Sequence, residues 1–145
     1  MKIALGSDHT GYRLKETIKK YLNKHNIEYT DFGTFRIDEC DYPEYGYKVS
    51  MAVSAGECDL GILIGETGMG MSVIANKAKN VRAVVADTEE EAKKSRLLYD
   101  ANVLCLAAGK SEKEILKIVQ TWMQTSFEGG KHQHRINMIS QLTGL

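Results

Sequence analysis

Proline occurs once, tryptophan once and cysteine three times in the 145 residues of this chain, and each scarcity removes a class of structure. The cysteines, Cys40, Cys58 and Cys105, are odd in number and far apart, with no Cys-x-x-Cys pair. That spacing argues against a disulfide framework, a zinc site and a thioredoxin-like redox motif. An excess of either charge is also missing, since 19 Lys and Arg balance 19 Asp and Glu. A neutral chain has no global field to draw nucleic acid or an anionic membrane surface. Neither partner is expected, and any anion site has to be local. No run approaches the roughly 20 apolar residues that span a bilayer. The apolar start, Ile3-Ala4-Leu5, is too short for a signal peptide, so a cytoplasmic location is the expectation. Internal repeats, low-complexity tracts and linkers are absent too, and the length suits one domain over residues 1–145.

What is present is a globular balance, 43% hydrophobic and 26% charged, arranged as alternating strand-like and helix-like segments. Lys2–Ser7 is a short apolar strand. Tyr12–Lys24 carries Leu14, Ile18 and Leu22 on one helical stripe. Residues 28–32 form a weaker strand pattern, and residues 45–54 a helix with Tyr45, Val49, Ala52 and Val53 on one face. Leu60–Gly65 is solidly apolar, as a strand covered on both sides requires. A helix over 68–77 and a strand over 82–86 follow. Thr88 with Glu91 reads as a capping box opening a helix through Leu98, and residues 102–107 as a strand. Ser111 with Glu114 is a second box, opening a helix with Ile115, Ile118, Val119 and Trp122 on its apolar stripe. The tail over 127–145 breaks at Gly129-Gly130 and resumes helical spacing at Ile136, Ile139 and Leu142, an arm that caps its own domain or reaches a neighbour. This alternation predicts an α/β fold, a parallel sheet with helices on both faces and a C-terminal helical arm. Right-handed crossovers then gather the loops 8–11, 33–43, 65–70 and 87–88 along the edge where such sheets bind ligands.

The sharpest motif is Gly65-Glu66-Thr67-Gly68-Met69-Gly70-Met71-Ser72, between the most apolar strand and a helix. Its glycines permit a tight turn with amides close to a ligand, and the helix start favours negative charge, so an oxyanion, a phosphate or an enediolate suits it. Glu66 supplies a possible base and Thr67 a hydroxyl donor. The alternative is a tight turn that binds nothing. It is neither a dinucleotide fingerprint, lacking the third glycine, nor a Walker loop, lacking Gly-Lys-Ser/Thr. Asp8-His9, after the first strand, pairs a carboxylate with an imidazole, which suits acid–base work on a sugar hydroxyl. Equally, Asp8 caps the next helix and His9 is a surface residue. In Lys131-His132-Gln133-His134-Arg135, Lys131 and Arg135 share a helical face and could clamp a phosphate, although the cluster alone reads first as a solvated face. Its histidines lack the further ligands of a zinc site. Tyr42-Pro43 is a rigid loop element whose tyrosine either bonds a substrate or packs. Cys58 and Cys105 read as inert core thiols, and Cys40, among acidic residues, is discounted as a nucleophile.

Taken together, these segments resemble the ribose-5-phosphate isomerase type B family, which includes the galactose-6-phosphate isomerase subunits. The resemblance runs nearly end to end. It rests on Gly6-Ser7-Asp8-His9, Asp31-Phe32-Gly33-Thr34, Asp41-Tyr42-Pro43 and 65–72 with Ala75-Asn76-Lys77. Ser95-Arg96, Asp100-Ala101-Asn102-Val103 and Glu128-Gly129-Gly130-Lys131-His132-Gln133-His134-Arg135 complete it. It implies a Rossmann-like five-stranded parallel sheet, a homodimer or dimer of dimers with shared sites, and no metal or organic cofactor. It also implies an aldose–ketose isomerisation of a phosphorylated sugar through a cis-enediolate, by default D-ribose 5-phosphate to D-ribulose 5-phosphate. Asp8, His9 and Tyr42 fall in the substrate site by this likeness. Thr67 and the amides of Gly68 and Gly70 match the enediolate-stabilising loop. Lys131 and Arg135 match a phosphate-binding pair, with lysine where arginine is usual.

Five positions depart from the family pattern. Gly65 stands where many members carry a catalytic cysteine, and Met71 where others place a glutamate. Leu98-Tyr99 replaces a histidine-asparagine pair given by the partner subunit, and Gly109, beside Lys110, replaces a phosphate-binding arginine. Glu66 is therefore the candidate base. Two other readings stay open: isomerisation of a six-carbon sugar phosphate, and a non-catalytic phosphosugar-binding or regulatory paralogue.

Overall fold

Strand and helix alternate from β1 to α5 and a further helix ends the chain; the computed structural model describes all residues from Met1 to Leu145. The chain runs β1 (Lys2–Ser7), α1 (Tyr12–Lys24), β2 (Glu28–Asp31), α2 (Tyr42–Ser54), β3 (Leu60–Gly65) and α3 (Met69–Ala75). It continues β4 (Ala83–Val85), α4 (Glu89–Tyr99), β5 (Val103–Ala107), α5 (Glu112–Gln124) and α6 (Lys131–Thr143). The five strands are parallel, in the order β2-β1-β3-β5-β4. β3 is buried throughout, which is why it carries no polar side chain.

Side-chain alternation splits the core between the two faces of the sheet. Ile3, Leu5, Ile62, Ile64, Leu104 and Leu106 pack against the stripe of α1 and against Ile115, Ile118, Val119 and Trp122 of α5. Ala4, Leu63, Val103 and Cys105 face the other way, against Val49, Ala52 and Val53 of α2 and Met71 and Ala75 of α3. No helix is long and apolar enough to cross a membrane.

Several boundaries differ from the sequence expectation, each for a local reason. α2 starts at Tyr42 rather than at residue 45, because Asp41 is an extended N-cap and Pro43 falls in the first turn, where its missing N–H costs nothing. α3 is shorter than 68–77. Gly68 holds φ at +78°, and Asn76 leaves the helix to bond both the N–H and the carbonyl of Ala83 at 2.8 and 2.9 Å. Asn102 is likewise taken out of β5, its side chain accepting from the Arg82 amide at 2.7 Å and donating to the Asn80 carbonyl at 2.8 Å. The Ser111–Glu114 capping box is complete. In the other, Thr88 accepts the Glu91 amide, but the Glu91 carboxylate reaches back to Asp87 rather than to Thr88.

The topology creates one switch point. From β1 the chain moves outward to β2, and β3 then starts the other half of the sheet on β1's opposite side. The loops after β1 and β3 diverge there and leave a crevice at the carboxyl edge.

Candidate active site

Asp8, Tyr42 and the loop from Gly65 to Gly70 wall a cavity of about 150 Å3 in that crevice, with Met71 completing it. The loop geometry follows from its glycines. Gly68 has a positive φ and sits against the Leu106 backbone, where an added Cβ would lie 3.1 Å from the carbonyl carbon. Only glycine meets both conditions without strain. At Gly70 an added Cβ would stand 2.7 Å from Cε1 of Tyr42, so the tyrosine ring lies directly on the loop backbone. The amides of Gly68 and Gly70 meet no acceptor within the chain. Thr67 Oγ1 accepts the Met69 amide at 3.1 Å, which fixes the hydroxyl and leaves its proton free to donate.

Asp8 does two jobs. Its Oδ1 accepts the amides of Thr10 and Gly11 at 3.0 and 3.3 Å and so caps a 3-10 turn, His9–Gly11. Its Oδ2 is the oxygen nearest Gly65, 3.9 Å from where a Cβ would be. The cap expected of Asp8 is thus made at the 3-10 turn rather than at α1, whose N-cap is Gly11, and Oδ2 is left on the cavity side. Glu66 is exposed and lines the same cavity. Two carboxylates thus line the same cavity as two free amides and one hydroxyl, an arrangement able to move a proton and hold a developing oxyanion. Met71 is 1% exposed and wedged among core side chains, so it contributes shape and no proton chemistry.

His9 does not line this cavity. Its Nδ1 accepts the Cys40 amide at 3.3 Å, with Cys40 Sγ at 3.9 Å, which ties the first loop to the loop before α2. Burial pushes the Cys58 and Cys105 thiols above their usual range, as expected of inert core cysteines.

Lys131 and Arg135 lie outside the Asp8 cavity. Both are exposed on α6, and Arg135 lines a second cavity of about 320 Å3 with Leu98, Tyr99, His132 and Ile136. Lys131 borders neither cavity, whereas His132 borders the second and pairs with Glu128 at 3.4 Å. Within one chain, then, the structure assembles Asp8, Tyr42, Glu66, Thr67, Gly68 and Gly70 and leaves the basic pair elsewhere. The sequence reading chose Lys131 and Arg135, four residues apart on α6; it did not single out His132, three residues before Arg135 and beside it in the second cavity.

The family model described as ribose/galactose isomerase matches residues 3–139. The chain is 42% identical over 142 residues to ribose-5-phosphate isomerase B of Escherichia coli strain K12, across 97% of this chain and 95% of that one. The solved structure of ribose-5-phosphate isomerase B of Clostridium thermocellum matches with a TM-score of 0.97 at 43% identity, over 99% of this chain and 98% of that one. Ribose-5-phosphate isomerase B of Mycoplasma genitalium, solved with bound ribulose 5-phosphate, matches with a TM-score of 0.95 at 38% identity, over 99% of this chain and 96% of that one.

Proposed function

This chain belongs to the ribose/galactose isomerase family, and on that premise we propose that it interconverts D-ribose 5-phosphate and D-ribulose 5-phosphate through a cis-enediolate. The observation that carries this is the cavity after β1 and β3, lined by two carboxylates and two unpaired loop amides.

In the open-chain aldose the carbonyl is at C1 and the hydroxyl at C2. A base removes the proton on C2, and the C1 carbonyl oxygen takes up the electron pair to give the enediolate. The O2 hydroxyl proton passes to O1, and return of the carbon-bound proton from the base to C1 leaves the carbonyl at C2. In this proposal Glu66 is the base, because Gly65 offers no side chain and Met71 no proton. Thr67 and the amides of Gly68 and Gly70 donate to the enediolate oxygens, a kind of contact worth about 3–4 kcal/mol per donor where it has been removed in other enzymes. Asp8 handles the sugar hydroxyls and Tyr42 packs the sugar against the loop, while His9, which does not line the cavity, ties the first loop to the loop before α2 through Cys40. Lys131 and Arg135 bind the phosphate. Because α6 carries them away from the Asp8 cavity of their own chain, the site is shared between two copies, in a homodimer or a dimer of dimers. One domain over residues 1–145 supplies each half-site.

One observation favours a second reading, a six-carbon sugar phosphate. A Cβ at residue 65 would lie 3.3 Å from Met71 Cγ and 3.9 Å from Asp8 Oδ2, so glycine there keeps the cavity wall between Met71 and Asp8 free of a side chain. A coupled assay on ribose 5-phosphate and on a panel of hexose 6-phosphates separates the readings. Turnover of ribose 5-phosphate is expected. Turnover of hexose phosphates alone transfers the chemistry to the second reading, and binding with no turnover of any sugar phosphate ends the enzyme proposal.

A further inference from the structure

Lys15 has a fully buried side chain, an expensive place for an ammonium unless its partners repay the lost water. Its Nζ donates to both carboxylate oxygens of Asp31 at 2.7 Å. It also lies 5.5 Å from the ring centroid of Tyr12 and 5.4 Å from that of Phe35, within cation–π range. Asp31 ends β2, and its Oδ1 accepts the Gly33 amide at 2.9 Å. The Gly33 carbonyl accepts the Ser7 amide, and Thr34 donates to the Ser7 carbonyl, both at 2.8 Å. Ser7 is followed directly by Asp8. At the far end of the same loop, Cys40 bonds His9 and Tyr42 lies on Gly70.

A buried ion pair is in general a poor stabiliser compared with apolar residues of the same volume, so its presence alone explains little. Here the ammonium and its carboxylate partner grip the loop between residues 33 and 42 at its first residue and at its first aromatic. We propose that Lys15, acting through Asp31, is a positioning residue that fixes this loop and with it Tyr42 and the Asp8–His9 segment. The inference rests on the isomerase reading of the neighbouring cavity. Burial opposes the Asp31 charge, but hydrogen bonds from Lys15, the Gly33 amide and Lys19 outweigh it and hold the carboxyl below its usual range. Lys19, only partly exposed, reaches Asp31 at 3.0 Å. Lys15→Met therefore keeps Asp31 paired and fills the volume, and removes chiefly the hold on the loop.

The test is hydrogen exchange on the intact protein together with kinetics. In Lys15→Met the amides of residues 33–42 should exchange at least tenfold faster, while α1 and β3 keep their protection. The kcat on ribose 5-phosphate should fall at least tenfold, with inhibition by inorganic phosphate within twofold of wild type. An unchanged loop, protection lost equally in α1 and the sheet, or kcat within twofold overturns the proposal. Phe35→Leu, at a residue 67% exposed, covers the case in which Lys15→Met does not fold. It should speed exchange in the same loop and lower kcat at least threefold, and no effect on either overturns the proposal. If wild type turns over no sugar phosphate, the isomerase reading fails separately, and exchange alone decides whether Lys15 fixes the loop.

Discussion

Replacing Gly70 by alanine tests the site with a single methyl group. The new Cβ would stand 2.7 Å from Cε1 and 2.8 Å from Cζ of Tyr42, against 3.4 Å for ordinary contact, so the ring has to retreat by about 0.7 Å. The ring can do so, because Tyr42 is 41% exposed and makes no hydrogen bond that holds it. Alanine also favours the first turn of α3 by roughly 0.5–1 kcal/mol over glycine, which offsets part of the strain. Stability should thus change by less than about 1 kcal/mol, equivalent to roughly 2–4 °C in Tm for a domain of this size. Catalysis should suffer far more, since a displacement on the order of 1 Å at a reacting centre can cost about 100-fold. The assay is kcat/KM for ribose 5-phosphate beside a thermal melt of the same sample. A variant that melts normally and keeps kcat/KM within threefold of wild type would show that the Tyr42–Gly70 wall does not shape the reaction site.

Arg135→Ala and Lys131→Ala should raise KM for phosphorylated sugars by the equivalent of about 1.5–3 kcal/mol, the range of hydrogen bonds to charged groups, and leave unphosphorylated sugars unaffected. Unchanged KM in both variants makes the cluster a solvated face. Asp31 has a depressed folded-state pKa against an ordinary value of 3.8, so it contributes stability at neutral pH. That contribution is present above about pH 4 and is lost as pH falls through the folded pKa. Asp31→Asn should therefore be less stable than wild type at pH 7, with the gap closing in acid melts; a constant gap contradicts the linkage. Sedimentation at micromolar concentration should give a dimer or tetramer, and a monomer would exclude a site shared between copies.

The periodic features were the ones legible in the sequence. Leu14, Ile18 and Leu22 gave α1 its bounds, and the apolar run Leu60–Gly65 gave β3, because both report burial on a fixed repeat. The glycine loop was legible because its chemistry is local, and Gly68 and Gly70 owe their identity to contacts with Leu106 and Tyr42. Boundaries decided by side chains leaving the repeat were not legible: Asn76 and Asn102 end their elements by bonding backbone that is distant in sequence. The Lys15–Asp31 pair was missed for the same reason. Lys15 shares a buried face with Ile18 and Leu22, three and seven residues on, and only a carboxylate at the end of β2, 16 positions away, makes that tolerable. For Lys131 and Arg135, helical phase put them on one helix, but no repeat in the chain says which cavity that helix will face.

The central claim is that a proton moves in the Asp8–Glu66 cavity, and its most direct test follows ribose 5-phosphate in D2O by proton NMR with wild type and Glu66→Gln. Glutamine keeps the size and hydrogen bonding of residue 66 and removes the base. Wild type is predicted to form ribulose 5-phosphate with solvent deuterium entering at C1. Glu66→Gln should slow both product formation and deuterium entry by a factor of roughly 100 to 10,000, the usual span for a general base. Exchange and turnover at near wild-type rate in Glu66→Gln would contradict the account and move the base to Asp8 or to a residue of the second copy.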